Sequence, residues 1–304
     1  MVRVNPRSSS AGRLLAAAAA CAVAFGVAWL LFVRTAPGQW IDGVLLPRAQ
    51  WGGGYVQETI LLGPASLVLK RFGNPLLLGL VMVAIIAVGA LTRRIWAALA
   101  AVAVFACSAG AAGFVKQFLD RPELGVASST THNSFPSGHV AAAAALLLGI
   151  LLVAPPRLRW WLAVPGTTGV SVIGAATMIL GWHRFSDVVG SLLLVGTIFC
   201  LAAAALTRAR DKTASASKEQ ADDDAVTGLL VQAIALTLLI MLVLALAPDA
   251  GVRLVLATAA VGVLTMLVVS AAIWLVRPAH QPEERGGATV PSSEWAQGSR
   301  SWRS

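Results

Sequence analysis

Charge is scarce in this chain. Asp, Glu, Lys and Arg make up 12% of the 304 residues, while 57% are hydrophobic. A soluble domain carries about 25% charged residues, so a soluble fold is excluded and the length is spent on membrane spans. Cysteine is scarce too. Cys21, Cys107 and Cys200 are odd in number and all fall in apolar runs, which reads as packing and argues against a disulfide framework; there is no CxxC and no thiolate metal site. Lysine occurs four times against abundant arginine, alanine and valine, a bias expected of a GC-rich genome. The net charge of +9 does not point to nucleic acid, because the arginines are dispersed in short loops as the positive-inside rule requires. Mid-span charges are almost absent, which argues against a transporter.

Long apolar runs are what the chain has instead. A short basic tail (Arg3, Arg7, Arg13) precedes a run from Leu14 to Val33, too long for a signal-peptide core and followed by further spans. Residues 34–73 are mixed, and we expect an outer-face loop there with a shallow interfacial helix near 56–71. Further spans are expected at about 75–92, 95–115, 140–155, 162–181, 187–206, 226–247 and 252–276, each near the length that crosses a roughly 30 Å hydrocarbon core, with 140–155 short. The fold class is therefore an all-α polytopic membrane bundle of eight helices. Its division is a six-helix core over 1–206, a charged cytoplasmic linker over 207–225, a two-helix hairpin over 226–276, and a tail over 277–304 whose composition reads as disordered. Gly110 and Gly113 are expected to allow close helix approach. Trp160-Trp161, beside Arg157 and Arg159, reads as an aromatic interface anchor.

The loop arginines orient the bundle. An alternating trace puts Arg93-Arg94, Arg157, Arg159, the 208–218 charges and the tail from Arg277 with the N-terminus on the cytoplasmic face of the plasma (inner) membrane. Lys70, Arg71 and Arg253 fall on the other side. The same trace puts residues 116–139 and 182–186 together on the outer face, and these segments hold His132, His139 and His183, three of the chain's four histidines.

Those segments carry the chemistry. His183 and Asp187 are four residues apart and share a face if helical. The carboxylate can then hold one ring nitrogen and leave the other as base or nucleophile; the alternative is a helix-start aspartate beside an exposed histidine. In Pro136-Ser137-Gly138-His139, Gly138 lets the backbone approach an anion, Ser137 offers a hydroxyl and an N–H, and the helix N-terminus favours phosphate, with His139 as a proton donor. Lys116 and Arg121 end the third span as phosphate-binding or interface-anchoring cations. Arg184 is a further cation, next to His183 and so on a different face if the segment is helical. His132 reads as a loop histidine, and His280 is assigned nothing.

These residues resemble the type 2 phosphatidic acid phosphatase superfamily of membrane lipid phosphatases, whose signatures are K-x6-R-P, P-S-G-H and S-R-x5-H-x3-D. The second stands intact at 136–139, the third is half present as His183 and Asp187, and the first begins at Lys116. The resemblance covers roughly residues 75–206. It implies a six-helix core, no metal and no other cofactor. It also implies His183 as the nucleophile forming a phosphohistidine, Asp187 as its orienter, His139 as the acid, and Lys116, Ser137 and Gly138 as phosphate ligands. Two positions depart from the pattern. Glu123-Leu124 stand where the family has Arg-Pro, with Arg121-Pro122 two residues early; Ala176-Thr177 stand where it has Ser-Arg. Arg121 is the candidate substitute phosphate ligand, Thr177 offers only a hydroxyl, and Glu123 would repel phosphate if it faced the site.

The expected function is hydrolysis of a membrane-lipid phosphate monoester or diphosphate at the outer face. Candidate substrates are a polyprenyl diphosphate carrier of cell-wall synthesis, favoured because an outward site suits carrier recycling, phosphatidylglycerol phosphate and phosphatidic acid. The competing reading is a lipid-phosphate binding or scaffold protein of the same fold, impaired in turnover. No nucleic-acid partner is expected. The last two helices read as an appended hairpin or as a contact to a partner or a homodimer.

Overall fold

The computed structural model describes residues 10–45, 60–126, 132–211 and 250–276. Among them every regular element is helical and no strand occurs. Helix α1 (Ser10–Ala28) continues through a π-helical turn (Trp29–Val33), then α2 (Ala36–Leu45), α3 (Leu62–Phe72), α4 (Pro75–Leu91), α5 (Ile95–Phe118), α6 (Gly138–Val153), α7 (Arg159–Ile179), α8 (Phe185–Asp211) and α9 (Ala250–Leu275) follow. Five of these segments are long and apolar enough to cross a membrane, or six if α3 and α4, bent by 51°, count as one. The expected span at 226–247 and most of the linker lie outside the described residues. Of the interfacial helix expected near 56–71, residues 56–59 lie outside the described residues; α3 begins at Leu62 after a turn and is followed two residues later by α4. Helix α8 runs five residues beyond the expected 206.

Local chemistry sets the breaks. Asn74 ends the α3–α4 bend as an N-cap, its side chain accepting from Leu76 N–H (2.9 Å) and Leu77 N–H (3.3 Å), with Pro75 in the first turn. Both residue types are those a helix start favours. At the far end of the bundle Arg94 Nη1 donates to the carbonyls of Val153 (3.1 Å) and Ala154 (2.9 Å), closing the C-terminus of α6. Buried Arg159 donates to Ala154 O and to Val276 O. Helix C-termini leave carbonyls without intrahelical partners and carry partial negative charge, so a guanidinium there satisfies both.

Helix α8 is the centre of the bundle. Two thirds of its apolar window is buried, more than in any other candidate span, and it packs against α1, α5, α6 and α9. Outward-facing apolar residues such as Val23, Leu80, Val83 and Phe114 are exposed, as expected where lipid is the solvent. Trp161 is 80% exposed beside the Arg157–Arg159 turn, in keeping with an interfacial anchor.

Two packing expectations need correction. Among the described residues nothing lies within 4 Å of a Cβ added at Gly110 or Gly113, both exposed on α5. Close approach occurs at Gly149, where an added Cβ would lie 3.1 Å from Ala101 Cβ, and at Gly190, where it would lie 2.4 Å from the Phe135 ring. Small residues mark close approach only on the face that meets another helix. Cys21 and Cys200 are buried as packing residues, whereas Cys107 is exposed on the outer face of α5; all three are free thiols.

The glycine contrast is testable. Gly190→Ala drives a methyl into the fully buried Phe135 ring, which packs at a tilt against Phe25, and is expected to cost about 1–3 kcal/mol. Gly113→Ala, in open space, is expected to be neutral or to stabilise by up to about 1 kcal/mol. Thermal unfolding of the detergent-purified variants reads both.

Candidate active site

The segment Gly181–Asp187 is shaped by two back-to-back helix-end motifs. Gly181, at φ +69°, terminates α7: its N–H donates to Met178 O (3.0 Å) and Trp182 N–H to Thr177 O (3.0 Å), the paired bonds of a Schellman end. Helix α8 then begins with reciprocal bonds. Asp187 N–H donates to the Arg184 carbonyl (3.1 Å) and Arg184 N–H donates to Asp187 Oδ2 (2.8 Å), the second being the return bond of a capping box, without the N-cap side-chain half. His183 and Arg184 are thus held in the link between helices. The expectation that their adjacency on a helix separates them does not apply, since neither is helical.

The Asp187 carboxylate gathers this link. Its Oδ2 accepts from Ser134 Oγ–H (2.5 Å), Arg184 N–H and His183 Nδ1 (3.3 Å). An ionised carboxylate only accepts, so Nδ1 carries the proton and Nε2 is the open nitrogen. Arg184 Nη1 donates to Ser134 Oγ (2.7 Å), which completes a chain from guanidinium through hydroxyl to carboxylate. His183 is buried, and desolvation lowers its pKa below the ordinary histidine value; the bond to Asp187 opposes this, and Lys116 lowers it further. The neutral ring is therefore the resident form near pH 7.

Pro136-Ser137-Gly138-His139 docks on the same helix. Ser137 N–H donates to Asp187 O (3.1 Å), and Ser191 Oγ donates to both Ser137 O (2.8 Å) and Asp187 O (2.7 Å). The Ser137 N–H is thereby engaged, and its hydroxyl caps α6 by accepting from Val140 N–H at 3.4 Å. Gly138 opens the helix with half-buried His139 next to it. The rings of His139 and His183 stand 6.5 Å apart, and Trp182, 37% exposed, lies 5.7 Å from His139. Half-buried Lys116, in the last turn of α5, bears electrostatically on His183.

The displaced motif cations converge here as well. Arg121 is buried in the segment after α5, and its charge is coupled to those of Arg184, Asp42 and Asp187; desolvation is the main influence lowering its pKa. Glu123 and Leu124 are exposed. Thr177 does not present its hydroxyl to the histidines, because Oγ1 donates to Gly174 O within α7 (2.7 Å). His132 is exposed in the loop. Among the described residues no group of three or more His, Cys, Asp or Glu is placed to hold a metal ion.

Sequence reasoning missed Asp42, Gln39, Ser134, Ser186 and Ser191, all buried. The signal for Asp42 was present: it is the first acidic residue of the chain, alone in an otherwise uncharged helix. Burial raises its pKa to about 6, partly offset by Arg121. A carboxyl whose folded pKa exceeds its unfolded value stabilises the fold fully only below the unfolded value, and that contribution is lost as pH rises through the folded one. We expect Asp42→Asn to match the unmutated protein in stability near pH 4 and to exceed it by about 2–3 kcal/mol above pH 6. Thermal unfolding across pH 4–8 checks the sign.

No curated protein and no solved structure matches the chain. Residues 95–212 match the PAP2 superfamily, a stretch that spans α5 to α8 with Lys116, Arg121, His139, His183, Arg184 and Asp187, and leaves α1 and α2 outside. The chain thus carries a PAP2 superfamily domain at residues 95–212, the superfamily that its motifs resemble.

Proposed function

We propose that this membrane protein is a metal-independent lipid phosphatase working through a phosphohistidine. The observation that carries the reading is the neighbouring pair His139 and His183, ring centroids 6.5 Å apart and edge-on, with Asp187 on Nδ1 of His183. His183 Nε2 attacks phosphorus, the bond from phosphorus to the lipid oxygen breaks, and His139 donates a proton to that oxygen. Water then attacks the phosphoenzyme as His139 takes its proton, the P–N bond breaks, and inorganic phosphate leaves with His183 restored. Lys116, Arg121 and Arg184 surround the charge that develops on the phosphoryl oxygens. Gly138, at the N-terminus of α6, lines the phosphate position; Ser137, fully buried with its N–H given to Asp187 O, backs that turn and does not offer the N–H expected of it.

The substrate is a phosphate monoester or diphosphate of a membrane lipid, with a polyprenyl diphosphate first, ahead of phosphatidylglycerol phosphate and phosphatidic acid. In support, α6 has 16 residues, about 24 Å by helical rise, against a hydrocarbon core of roughly 30 Å, which suits a site at headgroup depth entered sideways from the leaflet. The arginines Arg94 and Arg159 gather at the C-terminal end of α6, opposite the histidines. By the positive-inside rule that arrangement supports an outward-facing site; cytoplasmic termini and eight spans in the plasma membrane complete the proposed topology.

Phosphate release from the three lipids, measured in detergent with EDTA present, tests the reading. We expect release that survives EDTA and is abolished by His183→Ala. His139→Ala is expected to lower the rate by roughly 10²–10⁴-fold, and Arg184→Ala by roughly 10²–10³-fold. Absence of release from all three lipids, with lipid phosphate still bound, would instead support a binding protein of the same fold.

A further inference from the structure

Asp42 belongs to none of the three motifs and lies on α2, outside the matched segment 95–212. It is fully buried. Its carboxylate accepts the Ser186 N–H at 3.2 Å and also the Ser186 hydroxyl. Ser186 precedes Asp187 in the first turn of α8, so Asp42 grips the turn that presents His183 and Arg184. Three residues earlier, on the same face of α2, Gln39 Nε2 donates to Val33 O (2.9 Å) and to Pro122 O (3.0 Å). That second grip anchors the segment carrying Arg121. One short helix therefore ties together both segments that bring arginines to the site.

A hydrogen-bonding role alone does not call for an aspartate. Asparagine would keep an acceptor for the Ser186 N–H without the desolvation cost of a buried charge. What asparagine lacks is negative charge, and the charge of Asp42 is felt by Arg121 more strongly than by Asp187 or Arg184. A buried carboxylate that costs stability in this place is the kind of local violation found at functional sites.

We propose that Asp42 is a positioning residue for phosphoryl transfer: its charge holds the Arg121 guanidinium in the site while its oxygens fix the first turn of α8. The proposal rests on the hydrolase reading above and adds to it a residue that the superfamily segment does not contain.

The test is a double-mutant cycle on the full-length protein in detergent, using Asp42→Asn and Arg121→Ala, with Arg121→Gln as a second background. Both kinetics and thermal unfolding at pH 7.5 are read. Asp42→Asn is expected to lower kcat/KM at least about tenfold, mainly through KM, and to cost less than about threefold in either Arg121 background. The same substitution is expected to raise Tm, and to raise it further where Arg121 is absent, because the aspartate there lacks its counter-charge. Activity of Asp42→Asn within threefold of the unmutated protein would overturn the proposal. So would an equal loss in all backgrounds, or a fall in Tm that accompanies the loss of activity. If the unmutated protein releases no phosphate, the hydrolase reading fails. The Tm cycle still reads the pairing in that case, and equal Tm shifts in all backgrounds would overturn this inference on its own.

Discussion

The site depends on one oxygen. Asp187 Oδ2 accepts from Ser134, from the Arg184 backbone and from the His183 ring, and so joins the loop before α6 to the link between α7 and α8. The bond to the Arg184 backbone starts α8. The bond to His183 sets the tautomer that leaves Nε2 open. The bond from Ser134 brings in the Arg184 guanidinium, which donates to the same hydroxyl. A single carboxylate oxygen thus caps α8 and holds the His183 ring, the second contact being the one the proposed mechanism uses.

Around that oxygen the bundle is arranged for rigidity at one end. Ser191 and the Ser137 N–H fasten the Pro-Ser-Gly-His turn to α8, and the turn is backed by Phe135, which fills the space left by Gly190. Helix α2 closes the other side through Gln39 and Asp42. Ser134, Ser137, Ser186 and Ser191 supply hydrogen bonds to this buried network, where an unmade bond is costly, while Asp187 Oδ1 has no hydrogen-bond partner among the described residues.

Much of the helical architecture is legible in the sequence because bilayer thickness fixes the length of apolar runs and arginine punctuates them. The histidine segments are legible because histidine is rare and each lies at the edge of a run. The link geometry is less so. The His183–Asp187 spacing suggests a shared helix face, whereas the segment is a Schellman end joined to a helix start that the Asp187 side chain caps; Gly181, with its positive φ, was the local clue. Arg184 escapes the helical-face argument for the same reason. The Asp42–Ser186 contact spans 144 residues and the Ser134–Asp187 contact 53, and no local pattern carries such pairings. Gly110 and Gly113 show the converse limit, since a small residue does not announce which face of its helix meets lipid.

The central claim is that the phosphoryl group passes through Nε2 of His183, the nitrogen that Asp187 leaves open. The most direct measurement is to react the purified protein with a polyprenyl diphosphate labelled at its terminal phosphate, quench in alkali to preserve a phosphoramidate, and locate the label by peptide mass spectrometry. The account predicts label on His183, bonded at Nε2. Label on His139 or another residue, or turnover with no covalent phosphoprotein at any quench time, would contradict it.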